Sequence, residues 1–288
     1  MTWWESILLG LLQGLTEFLP VSSSGHLELG KALFGIENNG LAFTVLVHGA
    51  TAMSTIVVFR KDIFELVRDM LVRSAEGTEA RKFAGWILLS MVPVGIVGFS
   101  ARGYLEAHAE GHVEVVGGAL LLTAALLWFA HKKHAASHAN SLDITDPSAG
   151  VSRPVSTRSA VWMGLAQAVA IIPGISRSGA TISAGLFLGL SPATAARFSF
   201  LMVLPPILGM TALEVKDLMD APAAGLASSV HSVHLSPSWQ VLSLGAAAAF
   251  LSGLWACKWM MRGLVRGGLK GFAIYCAVAG IIALLTTL

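Results

Sequence analysis

One polar pattern, Gly-x-x-Gln-(x)8-Ser-x-Ser-Gly, occurs twice in this chain, as GLLQGLTEFLPVSSSG over residues 10–25 and as GLAQAVAIIPGISRSG over residues 164–179. The repeat pairs Gln13 with Gln167, Ser22 with Ser176, Ser24 with Ser178 and Gly25 with Gly179 at a single offset, and only the prolines, Pro20 and Pro173, slip by one residue. Each copy interrupts an apolar run with Pro, Gly and Ser, and irregular backbone of that kind survives in a bilayer only where protein or a wet cavity satisfies its amides. Two such breaks at matched positions predict two halves that meet.

Composition identifies the solvent. Hydrophobic residues make up 55% of the 288 residues and charged residues 12%, with a mean hydropathy of +0.71. A soluble domain of this length would have too little charge to cover its surface. The expected class is an all-α integral membrane protein, surrounded by membrane lipids and with no nucleic-acid partner. The start, MTWWESILLG, has no basic segment and carries Glu5, so no removable signal peptide is expected. The two cysteines, Cys257 and Cys276, sit in apolar stretches and read as packing residues.

Six stretches are apolar enough to cross about 30 Å of hydrocarbon: 42–59, 84–101, 113–130, 195–213, 239–257 and 272–288. The runs 1–19 and 159–190 are also apolar but broken, and read as two re-entrant helix pairs. Basic residues concentrate in 60–82, 131–158 and 258–270, which marks those connections as cytoplasmic. Threading six spans through that pattern makes 1–41 enter and leave on the outside and 159–194 on the inside. The result is an inverted-topology repeat, with 1–130 as the first repeat, 131–158 as a polar cytoplasmic connector and 159–288 as the second. A weaker echo aligns Phe43-Thr44 with Phe198-Ser199. Small residues such as Gly117-Gly118 and Ala246–Ala249 permit close packing within one chain or between copies, which leaves a homo-oligomer open.

The polar residues of the breaks carry the chemistry. Gln13 and Glu17 share a helix face one turn apart, and a carboxylate at that depth pairs or binds a cation. Ser22, Ser23, Ser24 and His26 follow Pro20, offering hydroxyls as nucleophiles or donors beside an imidazole that can carry a proton. The same serines can equally act as helix caps. In the second copy, Gly174, Ser176, Arg177, Ser178, Gly179 and Thr181 precede an apolar helix. Glycines that turn amides toward an anion, a helix N-terminus and a bidentate arginine together describe a phosphate cradle; a structural ion pair between Arg177 and Glu17 is the plainer alternative. Gln167, Thr44 and Ser199 are expected to support this group from behind, His48 either does so or is a satisfied packing residue of its span, and Arg197 either joins them or reaches lipid headgroups.

The stretches QGLTEFLPVSSSGH, Gln13 to His26, and PGISRSGAT, Pro173 to Thr181, resemble the two signature regions of the undecaprenyl pyrophosphate phosphatase family, the bacitracin-resistance type of membrane phosphatase. FSFL at 198–201 and the paired prolines after it extend the resemblance over essentially the whole chain. It implies hydrolysis of a polyprenyl pyrophosphate lipid, undecaprenyl pyrophosphate, to undecaprenyl phosphate, in a bacterial cytoplasmic membrane with the pocket open to the extracytoplasmic side. It also implies a divalent cation, Mg²⁺ or Ca²⁺, served by Glu17 and Gln13, where the family's first motif has acidic or amide positions. Ser22, Ser23 and His26 would supply nucleophile and proton transfer, and Ser176, Arg177, Ser178 and Thr181 would hold the pyrophosphate. The attacking group stays open between Ser, His and water. A secondary transporter or lipid flippase would use the same broken helices and midplane anion site without cleaving anything.

Overall fold

The computed structural model describes residues 1–36, 41–109, 112–140, 154–220, 239–265 and 268–287. Among them are eleven helices and no strand: α1 (Trp3–Phe18), α2 (Ser23–Phe34), α3 (Leu41–Val58), α4 (Arg60–Met70), α5 (Ala75–Ala109), α6 (Val113–Asn140), α7 (Thr157–Val169), α8 (Arg177–Phe187), α9 (Pro192–Asp220), α10 (Trp239–Val265) and α11 (Leu269–Leu285). The first helix of each repeated segment starts on a capping box, Thr2 with Glu5 for α1 and Ser156 with Ser159 for α7, which satisfies amides that a helix start leaves open.

Four helices are long and apolar enough to cross a membrane by length and composition: Ala75–Gly98, Val113–Ala135, Pro192–Leu213 and Trp239–Gly263. The protein is therefore a multi-pass membrane protein. Of the other two expected spans, α3 meets the same test only together with α4, across a 70° bend, and α11 is a shorter apolar helix of 17 residues. The bend falls where the sequence turns from apolar to charged: α4 carries Arg60, Lys61, Asp62, Glu65, Arg68 and Asp69 and has no buried residue. Large apolar side chains, among them Leu88, Ile96, Leu251 and Trp255, face outward, as a lipid-facing surface requires.

The helices flanking the breaks are short. α1, α2, α7 and α8 have 16, 12, 13 and 11 residues, so at about 1.5 Å per residue none alone crosses about 30 Å. α1 lies along α10 and α7 along α5, while α3 packs on α10 and α9 on α5; α3 also meets α9, and α6 meets α11. Two glycines make the first pair of contacts close. A Cβ on Gly10 would collide with the Gly245 carbonyl of α10, and one on Gly164 with the Ser90 carbonyl of α5. Gly117 approaches Gly280 of α11, so that small residue serves packing within the chain, whereas Gly118 meets no neighbour.

The main core runs beneath the breaks. Phe200 of α9 contacts Phe18 at the end of α1 and Phe59 at the bend, with ring centroids 5.9 and 5.8 Å apart. Cys257 and Cys276 are free and buried. α6 continues the third span through Asn140 into the expected connector, 141–153 of that connector lies outside the described residues, as does 221–238 of the expected outward loop, and α7 begins at Thr157, before the connector's expected end at 158.

Candidate active site

The second helix of each repeated segment begins in the same way. Ser22 Oγ accepts from the Gly25 amide at 3.3 Å to cap α2, and Ser176 Oγ accepts from the Gly179 amide at 3.1 Å to cap α8. Each cap also meets the hydroxyl two residues on, Ser24 at 3.4 Å and Ser178 at 3.3 Å. The matched serines thus serve first as helix caps, and both caps are buried. Ser24 is exposed.

Between the two breaks lies Glu17, in the last turn of α1. Its carboxylate accepts from Gln13 Nε2 at 3.0 Å and from Ser23 Oγ at 2.5 Å, and it forms an ion pair with the Arg177 guanidinium. The Glu17 side chain is 5% exposed and that of Arg177 28%, so the carboxylate is fixed from behind while the arginine fronts the opening. A buried carboxylate without partners would be costly; here every donor is polar or charged. Ser178 joins the segments a second time, donating to the Leu19 carbonyl at 3.1 Å.

Glu17, Arg177, Ser178 and Ser199 open onto one pocket together with Thr51 and Thr55 of α3, between apolar walls that include Phe18, Phe200, Val203 and Ile207. Ser199 faces Thr181 at 2.6 Å, and Thr181 also donates to the Arg177 carbonyl at 2.8 Å, so Thr181 holds the base of α8 and is itself buried. Gly179 packs on its own cap, Ser176. Gly174 adopts φ +93°, and a Cβ there would stand 2.7 Å from Ala119 Cβ and 2.9 Å from the Val116 carbonyl, which places it against α6 rather than at the pocket. His48 bonds the Thr44 carbonyl one turn back through Nδ1 at 2.9 Å. Gln167 is buried at the position matching Gln13. Arg197 pairs with Asp62 of α4 at 2.6 Å and lines a separate cavity with Phe59, Phe83 and Met261.

Neither His26 nor Ser23 lines this pocket; Ser23 reaches it through its bond to Glu17. The His26 Nδ1 lies 2.7 Å from the Ser22 carbonyl and its Nε2 2.8 Å from the Tyr275 hydroxyl. Tyr275, Thr51, Thr55 and Thr123, whose Oγ1 accepts from the Ser176 amide at 3.0 Å, were not singled out from the sequence. Thr51 and Thr55 do leave a signal, two hydroxyls one helical turn apart inside an apolar span. Thr123 leaves none.

The oxygens that could hold a hard divalent cation are those of Glu17, engaged here by Gln13, Ser23 and Arg177, and Gln13 Oε1, which like Gln167 Oε1 is buried without a partner. No cluster of three or more His, Cys, Asp or Glu occurs among the described residues. One carboxylate and one amide oxygen suit an ion such as Mg²⁺ that takes much of its coordination from phosphate and water.

A sequence model described as bacitracin resistance protein BacA matches residues 6–282. Proteins named undecaprenyl-diphosphatase are similar over the full length. That of Christiangramia forsetii is 45% identical over 98% of this chain and 97% of its own. That of Parabacteroides distasonis is 43% identical over 100% and 99%, and that of Oceanobacillus iheyensis 35% over 96% and 94%. With a match that runs through both breaks and nearly every helix, the chain belongs to the bacitracin resistance protein BacA family.

Proposed function

We propose that this protein hydrolyses undecaprenyl pyrophosphate to undecaprenyl phosphate and inorganic phosphate, returning the lipid carrier to cell-envelope synthesis. The observation that carries the reading is the Glu17–Arg177 pair joining the two breaks beside the Ser23 hydroxyl, in a chain whose full-length relatives are named for this activity.

Arg177 binds the pyrophosphate by exchanging its carboxylate partner for phosphate oxygens, a bidentate contact in a pocket with apolar walls. Ser178 and the amides at the start of α8 add donors at a helix N-terminus. Ser23 Oγ, already donating to Glu17, passes its proton to that carboxylate and attacks the terminal phosphorus, and undecaprenyl phosphate leaves. Water then releases the phosphate from Ser23. Both nitrogens of His26 are engaged elsewhere, which favours Ser23 over the imidazole as nucleophile. A divalent cation held by Glu17 and Gln13 Oε1 would offset the charge of the pyrophosphate.

The architecture that suits this chemistry has six spans and two re-entrant pairs in inverted repeats, 1–130 and 159–288. Four short helices around the breaks support it, as does the exchange in which α1 packs on α10 and α7 on α5 with matched glycines at both contacts. The basic connections 60–82, 131–158 and 258–270 orient it with those loops in the cytoplasm and the pocket open to the other side of the bacterial cytoplasmic membrane.

Purified protein in sealed liposomes containing undecaprenyl pyrophosphate tests the reading. One phosphate released per lipid consumed is expected. Movement of intact pyrophosphate lipid between leaflets with no phosphate released would instead establish a transporter.

A further inference from the structure

His26 is held on both sides of its ring. The Ser22 carbonyl can only accept, so Nδ1, 2.7 Å away, carries the proton and donates. Nε2 of the neutral ring is then the acceptor, and the Tyr275 hydroxyl 2.8 Å away donates to it. The two rings also stack, with centroids 5.5 Å apart and planes 13° from parallel. The next residue of α11, Cys276, places its thiol 3.5 Å from the Pro20 carbonyl. α11 therefore grips the first break at two points.

That grip acts at the start of α2, where the Ser22 carbonyl accepts from both the His26 amide at 3.1 Å and the ring Nδ1. Ser22 has φ +72°, the one positive φ outside glycine among the described residues, a conformation that L-residues avoid and that persists only where surroundings impose it. Its carbonyl shares a planar peptide unit with the Ser23 amide. Fixing the direction of that carbonyl fixes where Ser23 begins, and Ser23 is the residue whose hydroxyl meets Glu17.

We propose that Tyr275 is a positioning residue for the reaction: acting through the His26 ring and the Ser22 carbonyl, it holds the turn that aims the Ser23 hydroxyl at Glu17. The proposal rests on the reading of Ser23 and Glu17 as the reacting pair. It makes His26 a relay of position, with its ring locked in one tautomer. The second break has a counterpart in the Thr123 hydroxyl of α6, which accepts from the Ser176 amide at 3.0 Å.

Tyr275→Phe removes the hydroxyl and keeps the stacked ring. Loss of such a supporting partner is expected to lower kcat about 10- to 100-fold while KM for undecaprenyl pyrophosphate stays unchanged, because Tyr275 does not line the pocket that Glu17 and Arg177 open onto. In a His26→Ala background the same substitution should change kcat no further. Unchanged kcat in Tyr275→Phe, losses that multiply with those of His26→Ala, or a rise in KM alone would each overturn the proposal. Nitrogen chemical shifts of ¹⁵N-histidine-labelled protein, with His26 assigned by difference from His26→Ala, give a readout independent of activity. The wild type should show His26 protonated at Nδ1 only, and Tyr275→Phe a mixture of tautomers; an Nε2-protonated ring in the wild type would overturn the proposal. A wild type that shows the expected tautomer yet releases no phosphate would refute the hydrolase reading and leave the His26–Tyr275 pair established.

Discussion

Ser23 and Arg177 occupy the same place in the two repeated segments, the first residue of the helix after the break, and both bond one carboxylate, Glu17. The backbone is repeated but the chemistry is not. At the offset that pairs Gln13 with Gln167, Glu17 corresponds to Ile171 and His26 to Ala180. One segment carries the acid and the hydroxyl and the other the guanidinium, so the cluster forms only where the two meet.

Arg177→Lys keeps the charge and loses the planar fork. Removing one charge-assisted hydrogen bond costs about 1.5–3 kcal/mol, which is about 10- to 100-fold in rate. Steady-state kinetics should show that loss in kcat/KM with protein yield in the membrane unchanged. A lysine variant with the wild-type rate would mean that charge alone suffices.

Ser22 and Ser23 should separate by function. Ser22→Gly exchanges a capping hydroxyl for a residue that adopts positive φ freely, and a glycine cap costs only a few tenths of a kcal/mol. Its phosphate release is expected within a few-fold of wild type, whereas Ser23→Ala should lose nearly all turnover. The reverse order would identify Ser22 as the nucleophile.

Gly10→Val and Gly164→Val should behave alike, because each places a side chain against a carbonyl on the partner helix. Overpacking of this kind costs about 1–3 kcal/mol. Thermal unfolding in detergent should show both variants lowered by similar amounts. If one is tolerated and the other is not, the two halves do not pack as counterparts.

The sequence makes the breaks legible because their polar residues interrupt long apolar runs at a constant offset, and a buried Glu with no neighbouring base in its own segment implies a partner from the other. The Glu17–Arg177 ion pair is the plainer of the two readings of Arg177 that the sequence offers, and the structure shows it. The uses of the other hydroxyls follow only in part. Capping is one of the two readings of Ser22, beside a nucleophile, and the structure shows the cap; Ser176 and Thr181 look like pyrophosphate ligands in a string of residues, yet their oxygens cap α8 or join it to α9. The capping role depends on which residue begins the helix, and boundaries are the least legible feature of a sequence. Tyr275 is hidden for a different reason. It lies 249 residues from His26, so their contact is visible only in the fold.

Gln13→Ala and Gln13→Glu should move cation dependence in opposite directions. Removing the unpartnered amide oxygen is expected to raise the Mg²⁺ or Ca²⁺ concentration that gives the half-maximal rate, and adding a second carboxylate beside Glu17 to lower it. Activity that ignores both the substitutions and EDTA would remove the cation from the account.

The most direct measurement is phosphate release from undecaprenyl pyrophosphate by purified wild-type protein and Arg177→Ala, each shown to be folded by its thermal transition. Release by the wild type, with a fall of at least about 100-fold in the variant, is the expected result for a group that stabilises charge on the transferred phosphate. A folded Arg177→Ala protein that turns over at the wild-type rate would contradict the claim that the junction of the two breaks is the active site.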